Sequence, residues 1–211
     1  MKRDNKGFSL IELVVIVAII AILVGAMGVN LGLIKKYHAK ECRQMIYSSL
    51  ENGRLIALSK SAGGTSTDTT KTYLAFFRNT TDNCNYYAVV VEDVVTDVKK
   101  ISKADVKIYF GPTNSTADPS AIAGFTCLDS YSFAVGKKNL SINMLTDDPT
   151  LLDSAVTGGY RIAYNRSTGG FLKDSSGNIN LSIYSNSGKY YYPVFLYQST
   201  GKIQTAPVII R

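Results

Sequence analysis

Histidine is almost absent from this sequence: His38 is the only one among 211 residues. It lies near the end of a long apolar run, on a segment with helical periodicity. A Ser-His-Asp triad needs a histidine base between a nucleophile and an orienting carboxylate. Because this position offers no such setting, hydrolase chemistry is not indicated. Tryptophan is absent altogether, whereas the 14 tyrosines suit a β-rich extracellular surface.

Cysteine is scarce, with three residues and no C-x-x-C spacing. Zinc sites are commonly built from such closely spaced pairs, so no metal site is expected. Cys42 lies on a predicted helix, while Cys84 and Cys127 fall in the later part of the chain. Outside the cytoplasm these two can form a disulfide, and we carry that pair as a candidate.

No short motif predicts a catalytic residue or a cofactor. Phosphate-binding loops need an earlier glycine that the Gly-Lys pairs here lack, and Thr200-Gly201 between Ser199 and Lys202 predicts a hairpin turn. The remaining acidic pairs are typical of solvated loops rather than calcium ligands. We therefore expect a protein that is not an enzyme. The candidates set aside are Ser199-x-x-Lys202, Gly188-Lys189, Gly201-Lys202, Glu92-Asp93 and Asp147-Asp148.

A long apolar run is the strongest feature that the sequence does have. Residues 10–34 contain only two polar side chains, Glu12 and Asn30. As a helix the run is about 37 Å long, enough to cross a bilayer. Basic residues flank both of its ends, so charge alone does not give its orientation. A carboxylate near the start of such a run is costly and calls for a function.

The stretch KGFSLIE at residues 6–12 resembles the processing site of type IV prepilins and pseudopilins. In that family a short basic leader ends in Gly, cleavage follows, and the new N-terminal Phe is methylated. The resemblance implies that Gly7 ends the leader, that Phe8 begins the mature chain, and that Glu12 is the family glutamate. It covers about the first 35 residues, and the remainder agrees only in general architecture.

The resemblance implies a fold, a location and a set of partners. The fold class is α+β: a long N-terminal helix, membrane-spanning in its first half, packed on an antiparallel β-sheet head. The expected divisions are a leader (1–7), a membrane or filament-core half-helix (8–34), an amphipathic half-helix (35–62) and an extracellular head (63–211). The chain would enter the cytoplasmic membrane as a single-pass prepilin and then join an extracellular filament. Its partners would be prepilin peptidase, an assembly platform, the membrane and other pilin subunits.

Glu12 has two interpretations at this stage. Cleavage after Gly7 creates an amine on Phe8, and the Glu12 carboxylate can pair with this amine or with a neighbour's, offsetting two desolvation costs. The resemblance implies that such pairing sets the register between subunits. Alternatively, the carboxylate reaches back to the membrane interface without a partner.

Small residues recur along one face of the apolar run, at spacings of three and four. Such residues let helices approach closely, although membrane helices are rich in Ala and Gly in any case. Many family members have a proline in this segment, whereas the first proline here is Pro112. Glycines can supply local flexibility in its place. The small-residue stripe comprises Ala18, Ala21, Gly25, Gly28 and Gly32.

Beyond Ile34 the helical pattern becomes amphipathic, and Gly63-Gly64 is expected to end it. A short helix is predicted at 149–156, and Pro193 predicts an edge or bulged position for its strand. The apolar stripe comprises Cys42, Met45, Ile46, Leu50, Gly53, Ile56 and Ala57. Strands are predicted at 73–77, 86–91, 106–110, 131–135, 160–164, 178–184, 190–197 and 202–210.

These features favour a structural subunit of a type IV pilus-like filament, with the hairpin-rich C-terminal part inclining towards a minor or tip subunit rather than a major one. A type II secretion pseudopilin is an alternative within the same family. The other class is a filament-displayed binding module for DNA, a surface or secreted cargo. The formal charge of +7, and of +5 without the leader's three cations and one carboxylate, is compatible with an anionic ligand or simply with solubility.

Overall fold

One long helix organises the described chain. This computed structural model describes residues 8–60, 72–91, 94–133, 159–172 and 180–211, with residues 26–31, 60, 94 and 133 described by their backbone alone. Helix α1 spans Leu10–Lys60, 51 residues, or about 77 Å. The continuous helix that the sequence predicts is therefore confirmed as far as Lys60. Its predicted end at Gly63-Gly64 and the predicted helix at 149–156 lie outside the described residues.

Eleven short strands follow α1 in the described chain, and they account for the predicted ones with shifted bounds. The 131–135 prediction is described only in part, and β3 and β5 were not predicted. The strands are β1 Thr72–Asn79, β2 Cys84–Val91, β3 Val94–Lys100, β4 Lys107–Gly111, β5 Thr126–Cys127, β6 Ser132–Phe133, β7 Tyr160–Ala163, β8 Asn180–Asn186, β9 Tyr190–Tyr197, β10 Lys202–Thr205 and β11 Ile209–Ile210.

The strands form two sheets. The first has the order β3-β2-β1-β6, with β7 also pairing β1, and the second has the order β10-β9-β8-β4-β5, with β11 also pairing β9. The pairing of β1 with β6 is parallel, and the other pairings are antiparallel. This arrangement confirms the predicted α+β fold of a helix followed by antiparallel sheets.

The second half of α1 packs against both sheets. Its side chains Cys42, Ile46, Leu50 and Ala57 are fully buried, as the amphipathic stripe predicts. They share one apolar cluster with residues from both sheets, including Leu74, Phe76, Ile183 and Val194. Burial of each Ile, Leu, Val or Phe side chain contributes about 1.5–3 kcal/mol, so this apolar cluster holds the helix on the head.

Pro193 lies in a central strand, so of the two predicted positions, edge or bulged, the edge position is wrong. Strand β9 has β8 on one side and β10 with β11 on the other. The ladder is irregular opposite Pro193, because four steps from Thr205 to Ile209 face three steps from Val194 to Tyr191. The predicted single strand at 202–210 is accordingly split in two. The N–H that proline lacks therefore faces a break in the pairing.

Two Ser-Thr-Gly turns of the head, at residues 167–169 and 199–201, meet beside the helix. The turn at residues 198–201 joins β9 to β10, as the sequence predicts, and Gly201 has φ 62°. A Cβ on Gly201 would lie 2.2 Å from the carbonyl oxygen of Gly169 in the other turn. Arg54 of α1 reaches this point and donates from Nη2 to the Thr200 carbonyl at 3.5 Å. Glycine is therefore required at 201 by both backbone angle and space.

Candidate processing and assembly site

The start of α1 is closed by a reciprocal cap. The Ser9 backbone N–H donates to Glu12 Oε2 at 2.9 Å, and the Glu12 N–H donates to Ser9 Oγ at 3.3 Å. Ser9 immediately precedes the first helical residue, Leu10, so Ser9 and Glu12 form a capping box. Two N–H groups that the helix itself leaves unpaired are satisfied in this way.

Ser9 is a helix-capping residue at this site that the sequence interpretation missed. Its signal was present, since S-x-x-E before an apolar run is the sequence pattern of a capping box. Glu12 is exposed, and one of its two carboxylate oxygens is used by the cap. In the part of the chain that the structure describes, Oε1 accepts no hydrogen bond.

The first half of α1 projects from the head with its apolar side chains uncovered. Between Phe8 and Val24, thirteen large apolar side chains are each at least 46% exposed. Burial begins further along the same helix, at Ala39, which is fully covered by the head. Among the described residues, no helix reaches the length and mean hydropathy expected of a membrane-spanning helix.

The small-residue stripe lies on this uncovered half. Ala18, Ala21, Gly25 and Gly32 are exposed, and a Cβ added at Gly25 or Gly32 would meet nothing within 4 Å. The surroundings of Gly28 are outside the description. Close packing of this stripe against a neighbour therefore stays a prediction.

Polar contacts hold α1 on the head just beyond the uncovered half. His38 Nδ1 lies 3.1 Å from Asp105 Oδ1, and Ser187 Oγ donates to Asp105 Oδ2 at 3.1 Å. On the other flank, Arg43 donates from Nη1 to the Ala206 carbonyl at 3.0 Å. The carboxylate here lies between His38 and the hydroxyl, so this chain of contacts is not arranged as a hydrolytic triad, in which histidine is central.

Cys42, Cys84 and Cys127 are free thiols in this structure, so the predicted Cys84–Cys127 disulfide is not formed in it. Cys84 starts β2 in the first sheet, and Cys127 ends β5 in the second. The Cys84 thiol instead donates to the carbonyl of Asp82 at 3.3 Å.

The remaining chemical candidates occupy turns and strand ends. Ser199 lies in the β9–β10 turn, and Lys202 Nζ lies 5.8 Å from the centre of the Tyr197 ring. Gly188 and Gly201 have positive φ, as tight turns require. Within the described ranges, no three His, Cys, Asp or Glu residues come together as metal ligands. Glu92-Asp93 and Asp147-Asp148 lie outside those ranges.

Comparison with known proteins identifies the N-terminal segment. The family described as the prokaryotic N-terminal methylation motif matches residues 2–28, which include Gly7, Phe8, Ser9 and Glu12. No curated protein and no solved structure gives a significant match. The motif implies processing by prepilin peptidase, membrane insertion and assembly with other pilin subunits. Through this N-terminal segment the chain matches the class III signal prepilins of the type IV pilin family.

Proposed function

We propose that the protein is a structural subunit of a type IV pilus-like filament. It is inserted in the cytoplasmic membrane as a prepilin, cut between Gly7 and Phe8, methylated on Phe8, and polymerised outside the cell through residues 8–34. One observation carries this proposal: a single helix is apolar and uncovered in its first half and anchored on a folded head in its second.

The energetics of the uncovered half support polymerisation. Thirteen large apolar side chains between Phe8 and Val24 face solvent. At about 1.5 kcal/mol each, covering them is worth on the order of 20 kcal/mol. The membrane covers them before assembly, and neighbouring helices cover them in the filament. The small-residue stripe then lies where close helix packing needs small side chains.

The capping box suggests how Glu12 can serve both the helix and the filament. One carboxylate oxygen accepts the Ser9 N–H, and the other is open in the described chain. Processing after Gly7 leaves an amine on Phe8, one residue before Ser9. A cation at this end of the chain, its own or a neighbour's, meets a carboxylate that the cap already holds in place. A charge-assisted contact of this kind strengthens when water is excluded.

Filament incorporation of Glu12→Ala tests this role. We expect the variant to be cut after Gly7 but to be missing from filaments sheared off the cell surface. The matched control is Glu41→Ala, which removes an exposed carboxylate from the same helix and should incorporate normally. Incorporation of Glu12→Ala at the level of the unmodified protein would contradict the assigned role.

We also propose that the protein is a minor or tip subunit rather than the bulk subunit or a secretion pseudopilin. The support is the C-terminal part of the head, where hairpins join β8 to β9 and β9 to β10 within one sheet and β11 returns to pair β9. Quantitative mass spectrometry of purified filaments should find this chain at a small fraction of the most abundant subunit. A filament composed mainly of this chain would contradict this proposal and make the chain the major subunit.

A further inference from the structure

A cavity of about 210 Å³ lies at the junction of helix and head. Its lining residues are Leu33, Lys36, Tyr37 and Lys40 of α1 and Tyr192 of β9. The Lys36 ammonium also lies 5.1 Å from the centre of the Tyr190 ring on β9. The cavity is therefore lined by two lysines, two tyrosines and one leucine.

The two lysines carry charge that the described chain does not neutralise. In the described ranges neither Lys36 nor Lys40 has a carboxylate within ion-pair distance. The neighbouring acid on the helix, Glu41, lines a different cavity together with His38 and Lys103. Two lysines without a carboxylate partner on one wall favour an anionic ligand.

Tyr192 adds a hydrogen-bond donor without a partner. The side chain is only 3% exposed, and its hydroxyl is buried with no hydrogen-bond partner among the described residues. Burial raises the pKa of Tyr192, although the nearby Arg43 cation acts against the rise, so the phenol is protonated at neutral pH. Buried polar groups in native proteins normally have a hydrogen-bond partner. The lone Tyr192 hydroxyl therefore points to a ligand that accepts its hydrogen bond.

The level of the cavity along the helix indicates the source of the anion. Leu33 lies 23 residues beyond Leu10, which is about 35 Å along the helix axis. The hydrocarbon core of a bilayer is about 30 Å thick. If residues 10–34 lie in the membrane, as the proposed function requires, Lys36 and Lys40 are level with the outer headgroups. Tyrosines and lysines are the residues typical of this interface.

We propose that this cavity binds the phosphate of an anionic phospholipid in the outer leaflet. Lys36 and Lys40 supply the positive charge, the Tyr192 hydroxyl donates a hydrogen bond, and Leu33 and Tyr37 contact the apolar part of the lipid. The inference rests on the proposed function, because it places the subunit in the membrane before assembly. The bound lipid would hold the head upright at the surface, and extraction into the filament would release it.

Amine-reactive footprinting of the full chain in lipid nanodiscs tests the proposal. One set of discs contains phosphatidylcholine alone, and in the other a third of the lipid is phosphatidylglycerol. Mass spectrometry of peptides reports the labelling rate of each lysine. We expect phosphatidylglycerol to slow labelling of Lys36 and Lys40 by about tenfold, as for a charge-assisted hydrogen-bonded contact. Lys103, which lines the other cavity, should change little.

Tyr192→Phe distinguishes lipid binding in the cavity from general electrostatic attraction to the anionic membrane surface. It removes the hydroxyl and leaves every charge in place. The variant should lose most of the protection while keeping its melting temperature. Protection that is the same in Tyr192→Phe as in the unmodified chain would overturn the proposal. So would equal protection from millimolar inorganic phosphate in phosphatidylcholine discs, which would make this a small-anion site.

Two further outcomes identify what failed. If the chain enters discs of both compositions but Lys36 and Lys40 label equally in each, the lipid proposal fails and the filament proposal stands. If the chain enters neither kind of disc, the membrane step of the proposed function fails and the lipid proposal fails with it. Protection by a single-stranded oligonucleotide that exceeds protection by phosphatidylglycerol would overturn the lipid assignment in favour of nucleic acid.

Discussion

Ser9 and Glu12 cap each other at the start of the helix, with the Ser9 N–H 2.9 Å from Glu12 Oε2 and the Glu12 N–H 3.3 Å from Ser9 Oγ. Glu12 therefore has a structural role in the single chain besides the assembly role proposed for it. Substitutions can separate the two roles. Both residues are needed for the cap, whereas only Glu12 supplies the charge for the proposed contact with an amine.

Ser9→Ala should weaken the helix start but leave assembly in place. Loss of a serine N-cap costs about 1 kcal/mol, and the variant keeps the carboxylate that the filament uses. We expect its incorporation into sheared filaments to approach that of the unmodified protein, while Glu12→Ala is lost. If Ser9→Ala and Glu12→Ala reduce incorporation equally, capping alone explains the glutamate and the pairing role is wrong.

Gly53→Ala should destabilise the head although alanine is the better helix former. The added methyl would lie 2.9 Å from the hydroxyl oxygen of Tyr164, a fully buried side chain that donates to the Leu50 carbonyl at 2.9 Å. The gain in helix propensity is at most about 1 kcal/mol, while overpacking costs about 1–3 kcal/mol. Denaturant unfolding of the full chain in neutral detergent should show a net loss.

Two comparisons make the Gly53 result specific. Gly32→Ala is the matched control, because a Cβ there meets nothing within 4 Å, and it should be neutral or stabilising. In a Tyr164→Phe background, itself weakened by about 1 kcal/mol, Gly53→Ala should cost less, since the nearest atom is gone. If the losses in unfolding free energy from the two substitutions are additive, the methyl group added at residue 53 does not contact the Tyr164 hydroxyl.

The three thiols should alkylate in a fixed order in the native protein. Cys127 is partly exposed, Cys84 is 4% exposed and Cys42 is fully buried. Burial, with a smaller contribution from Glu41, raises the pKa of the Cys42 thiol, so its reactive thiolate is scarce as well as inaccessible. Peptide mapping after timed alkylation should find Cys127 modified first and Cys42 only after unfolding. A Cys84–Cys127 linked peptide under non-reducing conditions would contradict the free-thiol assignment.

Asp82 should make stability depend on pH in the acid range. Its Oδ2 accepts hydrogen bonds from the Tyr86 hydroxyl at 2.7 Å and from Lys100 Nζ at 3.1 Å. Burial alone would raise the pKa of Asp82, but these bonds outweigh it and hold the pKa below its usual value, while burial and Asp82 raise the pKa of Tyr86 to about 12. A depressed carboxyl pKa stabilises the fold above the unfolded value of about 3.9. That stability is lost as the pH falls through the folded pKa.

Asp82→Asn measures this contribution. At neutral pH we expect the variant to lose less than about 1 kcal/mol of unfolding free energy, because the site is partly exposed. Between about pH 5 and pH 2 its unfolding free energy should fall less than that of the unmodified protein. Asp97→Asn is the matched control, since it removes the carboxylate paired with Lys99 on β3. An unfolding curve for Asp82→Asn that follows the unmodified protein at every pH would contradict the assigned hydrogen bonds.

Local patterns in the sequence predicted the elements whose signal is local. The helix to Lys60 and strand β9 follow from periodicity and residue type, and the buried stripe of Cys42, Ile46 and Leu50 follows from helical spacing. Strand β3 was missed because its lysines and aspartate lie on an edge strand, where charge prevents unwanted pairing. A charged edge strand resembles a loop when its partner is unknown.

The parts that sequence could not predict depend on long-range contacts. Tyr192 and Lys36 are more than 150 residues apart, yet they line one cavity because β9 packs on α1. Likewise, the assignment of Cys84 and Cys127 to different sheets follows from strand order, which no local pattern records. Pro193 correctly predicted an irregular ladder, but only the chain opposite it shows where the break lies.

Mass spectrometry of the intact protein from surface filaments tests the central claim most directly. The account predicts a chain that begins at Phe8, with a methyl group on its α-amine and without residues 1–7. Sheared surface material and the membrane fraction should be compared, since the uncut precursor belongs only to the membrane. Recovery from filaments of a chain that still carries Gly7 and the leader would contradict processing as the step that creates the amine facing Glu12.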